Sequence, residues 1–270
     1  ENTERNFMNM RKSLLSMALP AAASTLLAGT ASAATLLALT ADGQLYKIDS
    51  NNQKVTANMA ASSPTPLRGI DVRPANGKLY ALGNDHQLYT IDLSSGAASK
   101  VVKLNKELPG SGQAVVDFTP AADKLRLLAN DGTSFRVNVE TGEVAVDGST
   151  SYAADGPHAG KKPNIAAGAY TNSYAGTKST ALHTIDLANN SLMLQNPPND
   201  GIQQPIGKIA DDLKTVAIDI QSDGKGGNTA YLLTGSTLHV LDLGNGQPKT
   251  LGKINGLPGN VIDIAVLPGM

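Results

Sequence analysis

The chain sets 22 Lys and Arg against 23 Asp and Glu over 270 residues, for a formal net charge of −1. That balance excludes the basic surface that nucleic acid or anionic lipid would demand. With 41% hydrophobic residues the chain can bury a core unaided, and zero Cys excludes disulfides, thiolate zinc sites, covalent c-type haem and a cysteine nucleophile.

The first stretch reads as a leader. Met8 or Met10 is the expected start, with residues 1–7 lying upstream of it. Arg11 and Lys12 form a positive patch, an apolar run broken by Pro20 follows over residues 14–27, and Ala31-Ser32-Ala33 offers the small residues a signal peptidase needs. Cleavage is expected after Ala33, so that residues 1–33 are removed and 34–270 form one domain, periplasmic or extracellular. No second apolar span of comparable length follows, so no membrane insertion is expected after cleavage.

Beyond the leader the chain repeats itself. A pattern of a ring, any residue, an aliphatic, then Asp or Asn appears at Tyr46–Asp49, Tyr89–Asp92, Phe135–Asn138, His183–Asp186 and His239–Asp242. Successive ring positions recur at about 43 to 56 residues, the length of one four-stranded propeller blade. Each copy runs into a turn-forming cluster such as Ser94-Ser95-Gly96 or Gly244-Asn245-Gly246, and the terminal Asp or Asn is placed to cap that turn. Upstream, in four copies, a short aliphatic run meets a tight turn at Asp42-Gly43, Asp85-His86, Asp131-Gly132 or Gly235-Ser236, the signal of a hairpin. The copy holding His183 lacks this, so its second strand is expected to be stunted within 173–181. His183 and His239, standing where other copies have Tyr or Phe, are expected to be packed rings, and His86 an exposed turn residue.

A second pattern marks the first strand of each unit: Ile70-Asp71-Val72, Val116-Asp117-Phe118, Ile218-Asp219-Ile220 and Ile262-Asp263-Ile264, with Gly168-Ala169-Tyr170 standing acid-free in the remaining unit. After the leader the chain opens on a second-strand pattern, and its last strand is a lone first-strand pattern. Pairing the two removes the free edges of an open array. The expected fold is therefore all-β: a five-bladed β-propeller closed by the C-terminal strand on the N-terminal hairpin. The blades are expected at 261–268 with 35–57, then 68–104, 114–148, 164–197 and 216–254. The longest loops fall at 148–163 and 196–214, and loops of that length on a rigid scaffold are where binding residues collect.

The strings GIDVRPANGKLYAL, DFTPAADKLRLLANDG, RVNVETGEVAVDG, AYTNSYAG and QNPPNDG resemble the bacterial exported family DUF4394, over about residues 35–267. The resemblance implies a propeller-like exported protein. It implies no activity, and it offers no catalytic residues to carry over.

The candidate site is the set of first-strand acids, Asp71, Asp117, Asp219 and Asp263. First strands lie nearest the axis of a propeller, so these carboxylates would form an incomplete ring around the channel. Buried carboxylates must be hydrogen-bonded, paired or bound to a cation. Ca²⁺ is the cation that such oxygen ligands would suit. The plainer expectation is that each Asp accepts local hydrogen bonds and keeps adjacent blades in register. Loop candidates are His158, Asn199 and Asp200. His158 has no counterpart in the other copies and is flanked by Asp155, Lys161 and Lys162.

No Gly-x-Ser-x-Gly elbow, His-Glu-x-x-His, P-loop or EF-hand pattern is present, so no catalytic residue is named and no cofactor is expected. The first expectation is an exported binding or scaffold protein without enzymatic activity, taking a glycan, peptide or protein ligand. The second is a hydrolase of carbohydrate or phosphoester using the channel carboxylates, directly or through a metal. The third is a structural extracellular matrix protein.

Overall fold

The computed structural model describes residues 33–269; the leader, its start and most of its cleavage signal lie outside them. Twenty-one strands and no helix are found among the described residues. In chain order they are β1 (Thr35–Thr40), β2 (Gln44–Asp49), β3 (Lys54–Ala60), β4 (Leu67–Val72), β5 (Leu79–Gly83), β6 (Gln87–Ile91) and β7 (Ala98–Lys103). There follow β8 (Val115–Thr119), β9 (Lys124–Leu128), β10 (Ser134–Val137), β11 (Val144–Val146), β12 (Ser151–Tyr152), β13 (Ile165–Tyr170), β14 (Leu182–Asp186) and β15 (Ser191–Gln195). The last are β16 (Ile202–Lys208), β17 (Val216–Ser222), β18 (Asn228–Thr234), β19 (Thr237–Leu241), β20 (Pro248–Lys253) and β21 (Val261–Leu267).

They form five sheets: β21-β1-β2-β3, β4-β5-β6-β7, β8-β9-β10-β11, β13-β14-β15-β16-β12 and β17-β18-β19-β20. These are blades 1 to 5 of a β-propeller. Each first strand touches the first strands of the blades on either side, so β21, β4, β8, β13 and β17 ring the axis. Closure is as the sequence predicts. β21 pairs antiparallel with β1, Thr35 opposite Leu267 and Leu37 opposite Ala265.

Side chains explain the ring. Blades stack face on face, so both faces of an inner strand must be apolar or hydrogen-bonded, and β4, β8 and β13 are buried along their whole length. Outer strands such as β3 and β7 are exposed or half-buried along their whole length. Four apolar clusters fill the junctions of blades 1 and 2, 2 and 3, 4 and 5, and 5 and 1. The junction of blades 3 and 4 differs. Its apolar cluster is only Val115, Leu128 and Ile165, and much of the rest is a polar network around Arg126.

The turn chemistry is local and behaves as read. Asp49 accepts from the Asn51 amide, Asp92 from Ser94 and Ser95, Asn138 from Glu140, Asp186 from Ala188 and Asp242 from Gly244. The hairpin turns carry positive φ at Gly43, His86, Gly132 and Gly235, a conformation that glycine adopts most easily. His86 is not an exposed turn residue: its side chain is 16% exposed.

Blade 4 corrects the repeat alignment. Leu182–Asp186 pairs with β13, which makes it the second strand and not the third. The third and fourth are β15 and β16, and β16 occupies Ile202–Lys208, the middle of the stretch expected as the 196–214 loop. The ring-x-aliphatic-Asp pattern reports a strand that ends in an Asp-capped turn, whatever its rank in the sheet. Nor is there a stunted strand in 173–181; residues 171–181 form one long connection from β13 to β14. The other expected loop is shortened too, since β12 lies within it and pairs in parallel with β16, covering the outer edge of the blade.

Candidate functional site

The four acids end up where the repeat places them, on inner strands beside the axis, each no more than 9% exposed. Asp71, Asp117 and Asp219 each bring one carboxylate oxygen within 4.8 Å of the others. Asp263 stands outside that trio.

What these acids do is written in their partners. The Asp263 carboxylate accepts the Ile70 amide of blade 2 at 2.8 Å, and Asp71 accepts the Phe118 amide of blade 3 at 2.6 Å. Asp117 accepts the Tyr170 amide of blade 4 at 3.0 Å, and Asp219 accepts the Val266 amide of blade 1 at 2.5 Å. Asp71, Asp219 and Asp263 use their other oxygen on the amide of the next residue, Val72, Ile220 or Ile264. Each acid is thus a staple from one blade to the next. The junction of blades 4 and 5 has Ala169 in the acid position. There Asn172 and Asn228 bond reciprocally instead, amide to Oδ1 at 2.8 Å and Nδ2 to Oδ1 at 2.9 Å.

The electrostatics pull two ways. Burial, reinforced by the charge of Asp219, pushes the Asp71 carboxyl well above its usual range. Burial and then Asp71 do the same for Asp117, and burial raises Asp263 and lifts Asp219 to about 6. Donated amides favour the ionised form but do not outweigh burial. As a metal centre the trio offers little free capacity. A hard cation takes six to eight oxygens, while Asp71 and Asp219 each have both oxygens engaged by backbone amides; only the second oxygen of Asp117 takes no hydrogen bond among the described residues.

The two ends of the axis differ. Where the inner strands begin, Gln113 of blade 3 donates through Nε2 to the Val216 carbonyl of blade 5 at 3.0 Å, bridging two blades that are not neighbours. Where they end, a cavity of about 340 Å³ opens. Its floor includes Asp71 and Asp219, and Gln221, Ser222, Ser173 and Tyr174 are among its wall residues. Ser173 and Tyr174 belong to the 171–181 connection, which blades 2, 3 and 5 replace with short turns. The Oε1 atom of Gln221 is buried and accepts no hydrogen bond.

The loop candidates lie elsewhere. The Asn199 Oδ1 accepts from Arg126 Nη2 at 2.7 Å, which makes Asn199 an anchor for its turn. Asp200 is exposed on that turn, whose backbone is clipped to Gly148 and Ser151. The His158 ring packs, tilted, on Tyr152 with centroids 5.2 Å apart. None of the three lines the axial cavity. His183 is 7% exposed, while His239 is half-buried between Thr234 and Thr250 hydroxyls, 2.9 Å from each.

Sequence reading missed two buried guanidiniums and the cavity wall. Arg68 donates to the carbonyls of Leu108, Pro109 and Gly112, ordering the connection before β8. Arg126 joins Ser134, Asp147, Tyr170 and Asn199 across the junction of blades 3 and 4. The aliphatic neighbours of Arg126 in Lys-Leu-Arg-Leu-Leu were the available signal. Tyr174 and Gln221 carried none, because their chemistry depends on two blades meeting.

A family model described as Domain of unknown function (DUF4394) matches residues 57–265. No curated protein matches the chain. Among solved structures it is similar to a structural-genomics protein of unknown function from Bacteroides thetaiotaomicron VPI-5482, at 17% identity over 87% of this chain, with a TM-score of 0.49. The chain spans 65% of the length of that protein. It is also similar to a protein of unknown function from Bacteroides caccae, at 10% identity over 88% of this chain and 100% of that one, with a TM-score of 0.45. A Nidogen/Laminin complex matches at 10% identity over 87% of this chain and 98% of that one, with a TM-score of 0.50. At that identity the likeness shows the fold alone.

Proposed function

This chain belongs to the DUF4394 family, and from that premise we propose that it is a binding module without enzymatic activity, receiving its ligand at the axial mouth. The observation that carries this reading is the asymmetry of the axis. Gln113 bridges one end, and the other opens into a cavity roofed by a connection peculiar to blade 4. A cavity of this size suits a small molecule or the end of a larger one.

The same site argues for binding over hydrolysis. Acid–base cleavage of a glycoside needs two carboxyls with different tasks and room between them for substrate or water. Here the carboxylates are engaged by backbone amides across blade junctions. Export is part of the reading as well, supported by the charge, apolar run and small residues that precede Ala34.

A fragment library titrated into isotopically labelled protein tests the reading. Resonances of Tyr174, Gln221 and Ser222 are expected to move in concert, and Tyr174→Ala to abolish the response. Fragments that bind only on outer strands, or turnover of a glycoside or phosphoester panel lost in Asp71 variants, would overturn it. N-terminal sequencing of the exported protein is expected to begin at Ala34; an intact Met8 or Met10 would refute the export claim.

A further inference from the structure

The axial mouth has a one-sided chemistry. Its floor carries two carboxylates, Asp71 and Asp219, and its walls add the Gln221 side-chain carbonyl and the hydroxyls of Ser173, Ser222 and Tyr174. No Lys or Arg lines it. One of these acceptors is already in deficit, because the buried Gln221 Oε1 accepts nothing. A buried acceptor without a donor is costly, and a ligand that supplies the donor recovers that cost. The rest of the wall is apolar, with Val72, Ile220 and Leu267 among it.

We propose, resting on the binding reading above, that the mouth takes an organic ammonium ion: a compact primary amine on an aliphatic body. An ammonium group carries three donors and no acceptor, matching a recess rich in acceptors and lacking cations. Its positive charge beside Asp71 and Asp219 favours the ionised form that their burial opposes. The aliphatic body accounts for the apolar part of the wall and for a volume of about 340 Å³, far more than a bare ion needs. A divalent cation fits less well, because it takes six to eight oxygens while much of this lining is apolar, Val72, Pro74, Ile220, Val266 and Leu267 included. A neutral polyol would bring an acceptor with every donor, and here only the hydroxyls and the Gln221 amide nitrogen could serve them.

The test is calorimetric titration of the full chain with 1,4-diaminobutane, 1,4-butanediol of matched length, and CaCl₂. The diamine is expected to bind at neutral pH, and the diol at least tenfold more weakly. Gln221→Met and Tyr174→Ala, both outside the acid staples, are expected to weaken the diamine at least fivefold without lowering the melting temperature of the free protein, which Gln221→Met should raise by removing the unpartnered acceptor. Equal binding of diamine and diol, both lost in Tyr174→Ala, would overturn the ligand class and leave the mouth reading standing. Binding of Ca²⁺ alone would overturn the class in favour of a metal site. Silence from all three probes, while fragments still shift the Tyr174 resonance, would overturn the class only; silence there too overturns both readings.

Discussion

The amide of Ile70 and the carboxylate of Asp263 are separated by 193 residues in the chain and by 2.8 Å in space. Asp263 lies on β21, the strand that completes blade 1 by pairing with β1. The same side chain therefore finishes one blade and grips the next. Asp263→Ala is expected to strand the buried amides of Ile70 and Ile264, at about 1–3 kcal/mol for each buried group left unpaired. A urea titration checks this: the midpoint should fall with an unchanged slope, while Asp211→Ala, at an exposed ion pair with Lys208, leaves it in place.

The staples also set a pH dependence. Asp219 is pushed up to about 6 by burial, from an ordinary value of 3.8, and Asp71, Asp117 and Asp263 are raised as well. A raised carboxyl pKa means that the fold favours the protonated form. Its contribution is present in full below the unfolded value and is lost as pH rises through the folded one. His183 works in the opposite sense, since burial lowers it, and its contribution disappears as pH falls below the ordinary 6.5. Thermal melts are expected to show Asp219→Asn flattening the decline between about pH 4 and 6, and His183→Leu removing a separate loss on the acid side.

Removing the closing strand tests the ring as a whole. A chain ending at residue 260 exposes the backbone of β1 and leaves Ile70 without its carboxylate partner. That chain is expected to elute as aggregate on size exclusion. A synthetic peptide of residues 261–269 supplied during refolding should restore a monomeric peak; monomeric elution without the peptide would show that closure is dispensable.

The polar junction of blades 3 and 4 makes a different prediction. Arg126 is fully buried and its partner Asp147 nearly so. Arg126→Met keeps the side chain's bulk but leaves Asp147 to Arg136 alone and frees the Tyr170 hydroxyl and Asn199. Asp147 keeps its two-point pair with Arg136, so the expected loss in denaturant unfolding is that of the stranded buried acceptors, about 1–3 kcal/mol each. The 196–201 turn, anchored through Asn199, should become a site of limited proteolysis; an unchanged digestion pattern would show that the turn is held by its backbone contacts alone.

What could be read from the sequence was what is local or repeated. Asp49, Asp92, Asn138 and Asp242 cap turns a few residues away, so their role is written in adjacent letters. The inner-strand acids were legible by repetition, and closure by two incomplete ends that complement each other. Blade 4 was misaligned because Leu182–Asp186 satisfies the strand-and-turn pattern while holding another rank in its sheet. Arg126 shows why the rest was hidden: Asn199, which satisfies its Nη2, lies 73 residues away on another blade. The cavity wall was hidden for the same reason, since Tyr174 and Gln221 acquire a common purpose only when the ring closes.

A ring is as stiff as its softest joint. Four joints here are bolted at the hub by a carboxylate, and the fifth, where Ala169 replaces the acid, is held instead by the Asn172–Asn228 pair and by oily packing. Any breathing of the wheel should concentrate at that joint. Tyr174 hangs beside it, two residues beyond Asn172, so a small splay of blades 4 and 5 would move the doorway without loosening the hub.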